Sequence, residues 1–526
     1  MTMRLKRSVF PVQRARGCVR WPAACVASLL LCLSCQSPRS ESVRPSAPIE
    51  TPISQSASPI APASGAPQGA FPDIGPSGLP DPRTMTFPPQ AFAPPRARRV
   101  ALPNGMTLFV MEEHELPLIS VDVLVRVGAL YDPADKIGLA ELTGTVLRTG
   151  GTARQTGDAI DIWADGVAAV LSSDIGVDVG SLSLDILKKD FDVGLQVLAD
   201  ILMRPVFADE KLEVARNAMI EAIRRRNDHP NAIASREFHQ QVYGVDHPYG
   251  REATEATART IAREDLVAFH KKYVVPNGAM MAITGDFDTT EMIKKIEAAF
   301  SDWSKMPVSF PEIPAVHERE TGGVYQIARP ISQAQIRMGH LSIKQDHPDY
   351  FALSILDDIL GAGGFSSRMF NDIRTQRGLA YAVGSVLRPG HFERGVFLAY
   401  GETRNETTYQ TLAAMIEHIS AIRRAPVSEE EITRAKASFL NSFIFSFAGA
   451  AQIVRRQMSL AYYGLPEDFL ERFRDNVAKV TQDDILRVAQ AHLHPDRLVI
   501  LVVGDASRFD QSLSTFGAVH ELSLTP

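Results

Sequence analysis

Two stretches of the chain repeat one another. Glu264–Asp286, EDLVAFHKKYVVPNGAMMAITGD, aligns without a gap with Asp483–Asp505, DDILRVAQAHLHPDRLVILVVGD. Each opens on acidic residues at a helix start and runs through an amphipathic helix to a proline turn. Each then continues as a β-rich run and ends in Gly-Asp. The same order of features 219 residues apart signals a duplicated unit. That constrains the fold more than any other feature, because what one copy builds the other builds again.

Helix and strand signals alternate through both copies, so the body is read as α+β: two similar layered domains. The first spans residues 97–306. Strand candidates are Ala101–Met111, around a Pro103-Asn104-Gly105 turn, Ile119–Val127 and Met280–Thr284. Lys189–Met203 and Asp209–Asp228 read as helices. Residues 307–322 hold three prolines and read as the link. The second domain spans residues 323–522, with strand candidates at Ala334–Leu341 and Gly395–Tyr400 and helices at Tyr350–Leu360 and Glu429–Phe447.

Residues 1–35 carry six basic residues, no acid and an apolar run, Trp21–Leu33, too short to cross a bilayer comfortably. They read as an export signal. All four cysteines lie within it, and Cys35, after Ser34, stands where a bacterial lipoprotein signal is cut and lipidated. Cys32 departs from the leucine usual three positions earlier. Plain secretion and an uncleaved anchor are the alternatives. Residues 36–96 contain fifteen prolines and no apolar periodicity, the composition of a disordered linker whose ends lie on the order of 45 Å apart. The chain is thus expected at the cell envelope or in the periplasm, held to a membrane through a lipid tether only. Losing the leader's basic residues takes the formal charge from −6 to −12. An acidic body without a basic cluster argues against nucleic acid as a partner.

In Gly138–Leu147, Leu139, Leu142 and Val146 fall on one helical face. Glu141 and Thr145 stand one turn apart on another, the spacing by which two side chains can share a metal ion. The surrounding frame, VGALYDP followed by GLA, resembles the zinc helix of the insulinase–pitrilysin (M16) metallopeptidases, where H-x-x-E-H follows. Here those three chemical positions are Glu141, Gly144 and Thr145, and the downstream Glu ligand falls on Ala222. None of the chain's thirteen histidines forms H-x-x-E-H or H-E-x-x-H. His492 and His494, two apart before Pro495, read as part of a turn. No metal is expected on this chain.

LPNG at Leu102–Gly105, HPYG at His247–Gly250, Val275–Asp288 and Gly363–Ser385 resemble further landmarks of that family, in its order. The resemblance implies a duplication like that of the mitochondrial processing peptidases. It also implies that Arg374 and Tyr381, in RTQRGLAY, are the Arg/Tyr pair that hydrogen-bonds substrate backbone and the developing oxyanion. By residue type alone they would be an Arg–carboxylate pair and a half-buried core tyrosine. Arg377 is a nearby competitor with the wrong spacing. Gly361–Gly364 lacks the lysine of a phosphate loop and reads as a helix stop, with Asp357 and Asp358 solvated or capping. The resemblance implies a zinc-less subunit whose partner carries H-x-x-E-H and the zinc, both acting on a peptide. A silent peptide-binding or scaffold lipoprotein is the alternative, and a self-sufficient hydrolase with an unusual site is a third reading.

Overall fold

A computed structural model describes residues 95–317, 321–445, 447 and 449–524. The export signal, Cys35 and the linker up to residue 94 lie outside the described residues. Among the described residues no helix is long and apolar enough to cross a membrane.

The first half contributes β1 (Arg98–Ala101), β2 (Thr107–Glu112), β3 (Leu118–Val125), β4 (Val170–Ile175), β5 (Gly180–Leu187) and β6 (Ala279–Gly285). They form one sheet in the order β1-β2-β6-β3-β5-β4. The second half contributes β7 (Gly323–Ala328), β8 (Gln333–Leu341), β9 (Ala380–Arg388), β10 (Val396–Arg404), β11 (Val499–Gly504) and β12 (Val519–Glu521). Their order is β12-β7-β11-β8-β10-β9. The inner five strands correspond one to one. Within these five strands one parallel pair, β2–β6 or β7–β11, is followed by three antiparallel pairings. The sheets differ at one edge, where β1 joins antiparallel and β12 parallel. The duplicated α+β architecture is as the sequence implies.

The repeated segment lies at the centre of each sheet. Helices Arg263–Tyr273 and Gln482–His492 keep their 219-residue separation at both ends. At each start an aspartate accepts the N–H three residues before it, Asp265 from Ala262 at 2.8 Å and Asp484 from Thr481 at 3.0 Å, and the Thr481 hydroxyl accepts the Asp484 N–H in return. A short 3-10 turn, Pro276–Gly278 or Pro495–Arg497, then delivers the chain into β6 or β11. These strands are buried on both faces, which explains their continuous apolar runs.

One face of the first sheet packs on its own helices through Ile119, Val121, Val123 and Val125 of β3. A helix from the other half covers the opposite face. Ala450–Tyr462 lays Val454 and Met458 against Phe109 and Ala282. Reciprocally, Pro230–Tyr243 of the first half inserts Ile233, Ala234, Phe238 and Val242 among Leu341, Leu398, Leu501 and Val503 of the second sheet. The exchange explains the alternation in β3: Asp122 turns away from its own core and meets Arg455 on the incoming helix at 2.8 Å. The link is pinned as well, with Phe310 packed on Tyr131 and Tyr273 beneath the Arg126 guanidinium.

Candidate functional site

The helix resembling a zinc helix spans Leu139–Thr149, with Leu139, Leu142 and Val146 buried as their spacing predicts. Asp132 starts it. Its carboxylate accepts the N–H groups of Gly138 and Ala140, each at 2.9 Å, satisfying donors a helix start leaves unpaired. Burial pushes the Asp132 carboxyl up to about 6, against the pull of those two bonds.

Glu141 and Thr145 are exposed, one turn apart. Glu141 is reached by solvent yet surrounded by protein. Its carboxyl is raised first by lost hydration and then by the neighbouring carboxylates Asp174 and Glu252. Gly144 faces inward, against β4. A Cβ at this position would lie 2.3 Å from the backbone N of Ile175, and the Gly144 carbonyl accepts Ser173 Oγ at 2.7 Å. Strand backbone therefore occupies the space that a general base at this position would need. Ala222 is exposed on the Asp209–Arg225 helix, which packs beside the first, and its neighbour Glu221 is paired with Arg225. These four positions offer one carboxylate and no imidazole. They do not fit a zinc ion.

Arg374 and Tyr381 come together in the second half. Arg374 lies on a π-helical stretch, Phe370–Gln376, and Gly378 at φ +62° supplies the left-handed turn leading toward β9. Tyr381 is the extra residue of a β-bulge: Ala380 pairs with Thr403 and Ala382 with Glu402, leaving Tyr381 unpaired. A bulge re-aims a side chain, and Tyr381 is 70% exposed instead of half-buried in a core. The Arg374 guanidinium carbon is 5.2 Å from the Tyr381 ring centre, 4.6 Å from that of Phe370 and 5.4 Å from that of Phe365. It makes no ion pair among the described residues, whereas Arg377 is paired with Asp372 at 2.8 Å. An uncommitted guanidinium beside two exposed rings, Phe365 and Tyr381, and the half-buried ring of Phe370 can donate to carbonyls and stack on planar groups. No hydrogen bond, ion pair or ring contact among the described residues joins this group to the Leu139–Thr149 helix. The rings of Phe365 and Phe370 escaped the sequence reading, although Phe370 stands one turn before Arg374.

Asp357 and Asp358 correct the sequence reading. Neither is solvated: they are 6% and 3% exposed. Asp357 accepts Ser385 Oγ at 2.5 Å and the Leu387 N–H at 2.7 Å, tying its helix to β9, and burial pushes its carboxyl up to about 6. The Tyr350 helix does break at Gly361–Gly364, through a π turn ending at Ala362. Gly361 has no room for a Cβ beside Ser385. His492 and His494 part company. His492 closes a helix beside Asp349 and His347, while the His494 N–H donates to the His340 ring.

Fold and site together define a class: a duplicated two-sheet body with a helix in its first half that does not fit a zinc ion and an exposed tyrosine beside an arginine in its second. The family description Insulinase (Peptidase family M16) matches residues 109–254, and Peptidase M16 inactive domain matches residues 260–439. The chain belongs to the M16 peptidase family. An uncharacterized zinc protease of Rickettsia felis is 24% identical over 397 residues, covering 74% of this chain and 93% of the relative. One of Mycobacterium tuberculosis is 25% identical over 430 residues, covering 80% and 95%. Among solved structures, a peptidase M16 inactive domain from Pseudomonas fluorescens superposes with a TM-score of 0.71 at 26% identity, covering 78% of this chain and 98% of that one. A protease from Helicobacter pylori superposes at 0.69 with 18% identity, covering 78% and 100%.

Proposed function

We propose that this chain is the zinc-less subunit of a heteromeric M16 metallopeptidase, tethered at the cell envelope through Cys35. Its partner carries H-x-x-E-H and the zinc, and Arg374 and Tyr381 act on the peptide bound there. The observation that carries the reading is the pair itself: a bulged, exposed tyrosine beside an arginine with no carboxylate partner among the described residues. The donor set at Glu141, Thr145 and Ala222, one carboxylate and no imidazole, is why the zinc has to come from elsewhere. The relatives, an uncharacterized zinc protease on one side and an M16 inactive domain on the other, agree with a shared peptidase ancestry and a lost site here.

In this role the phenol and guanidinium donate to the scissile carbonyl as it gains negative charge. A preorganised donor of this kind is worth about 3–4 kcal/mol, or roughly 100- to 1000-fold in turnover. Tyr381→Phe keeps the ring and removes the donor, so complex formation should survive while peptide hydrolysis by the mixed subunits falls by that factor. Arg374→Ala should also raise KM. If complexes of both variants form and turn over like wild type, the pair has no catalytic role. The chain is then a peptide-binding or scaffold lipoprotein.

A further inference from the structure

The cluster of His347, Asp349 and His492 lies in the second half, outside the Arg/Tyr group and the Leu139–Thr149 helix. His347 and Asp349 precede the helix Tyr350–Asp357, and His492 is the last residue of the helix Gln482–His492 packed against it. One donor atom from each residue lies within 4.8 Å of the other two. Among the described residues this is the one such grouping of His, Cys, Asp and Glu. We propose that it binds one divalent transition-metal ion of borderline softness, with Zn2+ as the representative.

Three features of the cluster support this. Two imidazoles and a carboxylate suit zinc and its neighbours, whereas calcium and magnesium prefer all-oxygen sites. The carboxylate is already divided between two tasks. Asp349 Oδ1 is held by Arg487 at 2.8 Å, and Oδ2 lies 2.7 Å from His492 Nε2 and 4.0 Å from His347 Nδ1. Arg487 thus orients the ligand from its outer side, as outer partners of metal-bound carboxylates do. The metal would replace the proton shared by His492 and Asp349 and would displace the Asp349 N–H from His347 Nδ1, now at 3.1 Å. Finally, His347 borders a cavity of about 390 Å³ lined also by Phe351, Phe469, Asp484 and Arg487. That leaves an open side for a water as fourth ligand and a route for the ion. The site would clip the loop after β8 to the end of the repeated helix.

This runs against the sequence-based expectation of a metal-free chain, for a reason spacing cannot show: His347 and His492 are 145 positions apart. The test uses the full chain, stripped of metal and titrated with Co2+ and then Zn2+. The expected result is one ion per chain, with a cobalt spectrum free of thiolate charge transfer, which separates the site from the leader cysteines. His347→Gln and His492→Gln should each weaken binding at least 100-fold, more than loss of an outer-sphere partner does. Glu141→Gln should leave binding unchanged. Free Zn2+ at 100 times Kd should raise the folded-to-unfolded ratio about 100-fold in wild type and not in the variants. Absence of binding in wild type, or binding that survives both histidine substitutions, overturns the proposal. Circular dichroism of the metal-free variants, matching metal-free wild type, shows that a loss of binding is not a loss of fold.

Discussion

The contact between Gly144 and β4 makes a sharp energetic prediction. In an exposed helix, Gly→Ala stabilises by about 1 kcal/mol through backbone entropy. Gly144 sits inside a helix, so propensity alone predicts a gain. Its added Cβ, however, would stand 2.3 Å from Ile175 N, where ordinary contacts begin at 3.4 Å, so helix and strand must part by about 1 Å. Overpacking of this kind costs about 1–3 kcal/mol. Parting also loosens the bond from Ser173 Oγ to the Gly144 carbonyl, worth about 0.5–1.5 kcal/mol. The net for Gly144→Ala is a loss of about 1–3 kcal/mol. Gly166, near the end of the Gly157–Val167 helix, has nothing within 4 Å of its Cβ position, and Gly166→Ala should gain up to about 1 kcal/mol. Urea unfolding of both variants against wild type reads the two signs directly. A Gly144→Ala variant as stable as wild type would refute the claim that strand backbone fills this position, and with it the steric argument against a larger side chain there.

Two further predictions concern the buried carboxyls and the tether. Burial raises Asp357 to about 6, so its protonated form suits the folded state, and the stability tied to it is lost as pH rises from the ordinary carboxylate range through about 6. Asp357→Asn should flatten the pH dependence of unfolding between pH 4 and 6 by up to about 1.4 kcal/mol per pH unit, and an unchanged slope would contradict this. Cys35→Ser should move the protein from the membrane fraction to a soluble one on cell fractionation; retention in the membrane would favour an uncleaved anchor.

The duplication was legible because both copies keep the same caps, proline turn and buried strand. Asp265 and Asp484 cap equivalent helices, and β6 and β11 are apolar throughout because neither face meets water. That Glu141, Gly144, Thr145 and Ala222 do not fit zinc follows from residue type alone. The tight packing at Gly144 was not legible, since the atom that crowds it belongs to Ile175, 31 residues away. The bulge at Tyr381 was equally hidden: it arises in the pairing of β9 with β10, and nothing in GLAY announces an unpaired residue. Asp357 and Asp358 were misread because a charged pair on a helix normally faces water, and only Ser385 and Leu387, across the fold, show why this one does not.

The reciprocal helices have a consequence for how the molecule is assembled. Pro230–Tyr243 completes its own sequence more than 250 residues before β11, the strand on which Phe238 and Val242 come to rest. A chain threading N-terminus first therefore holds an apolar ridge without a bed until nearly its last strand has emerged. Cutting the gene between the halves would strand one such ridge on each product and leave each sheet with a bare apolar face. The two halves, alike as they are, are each other's missing piece and should be expressed, chaperoned and degraded as one.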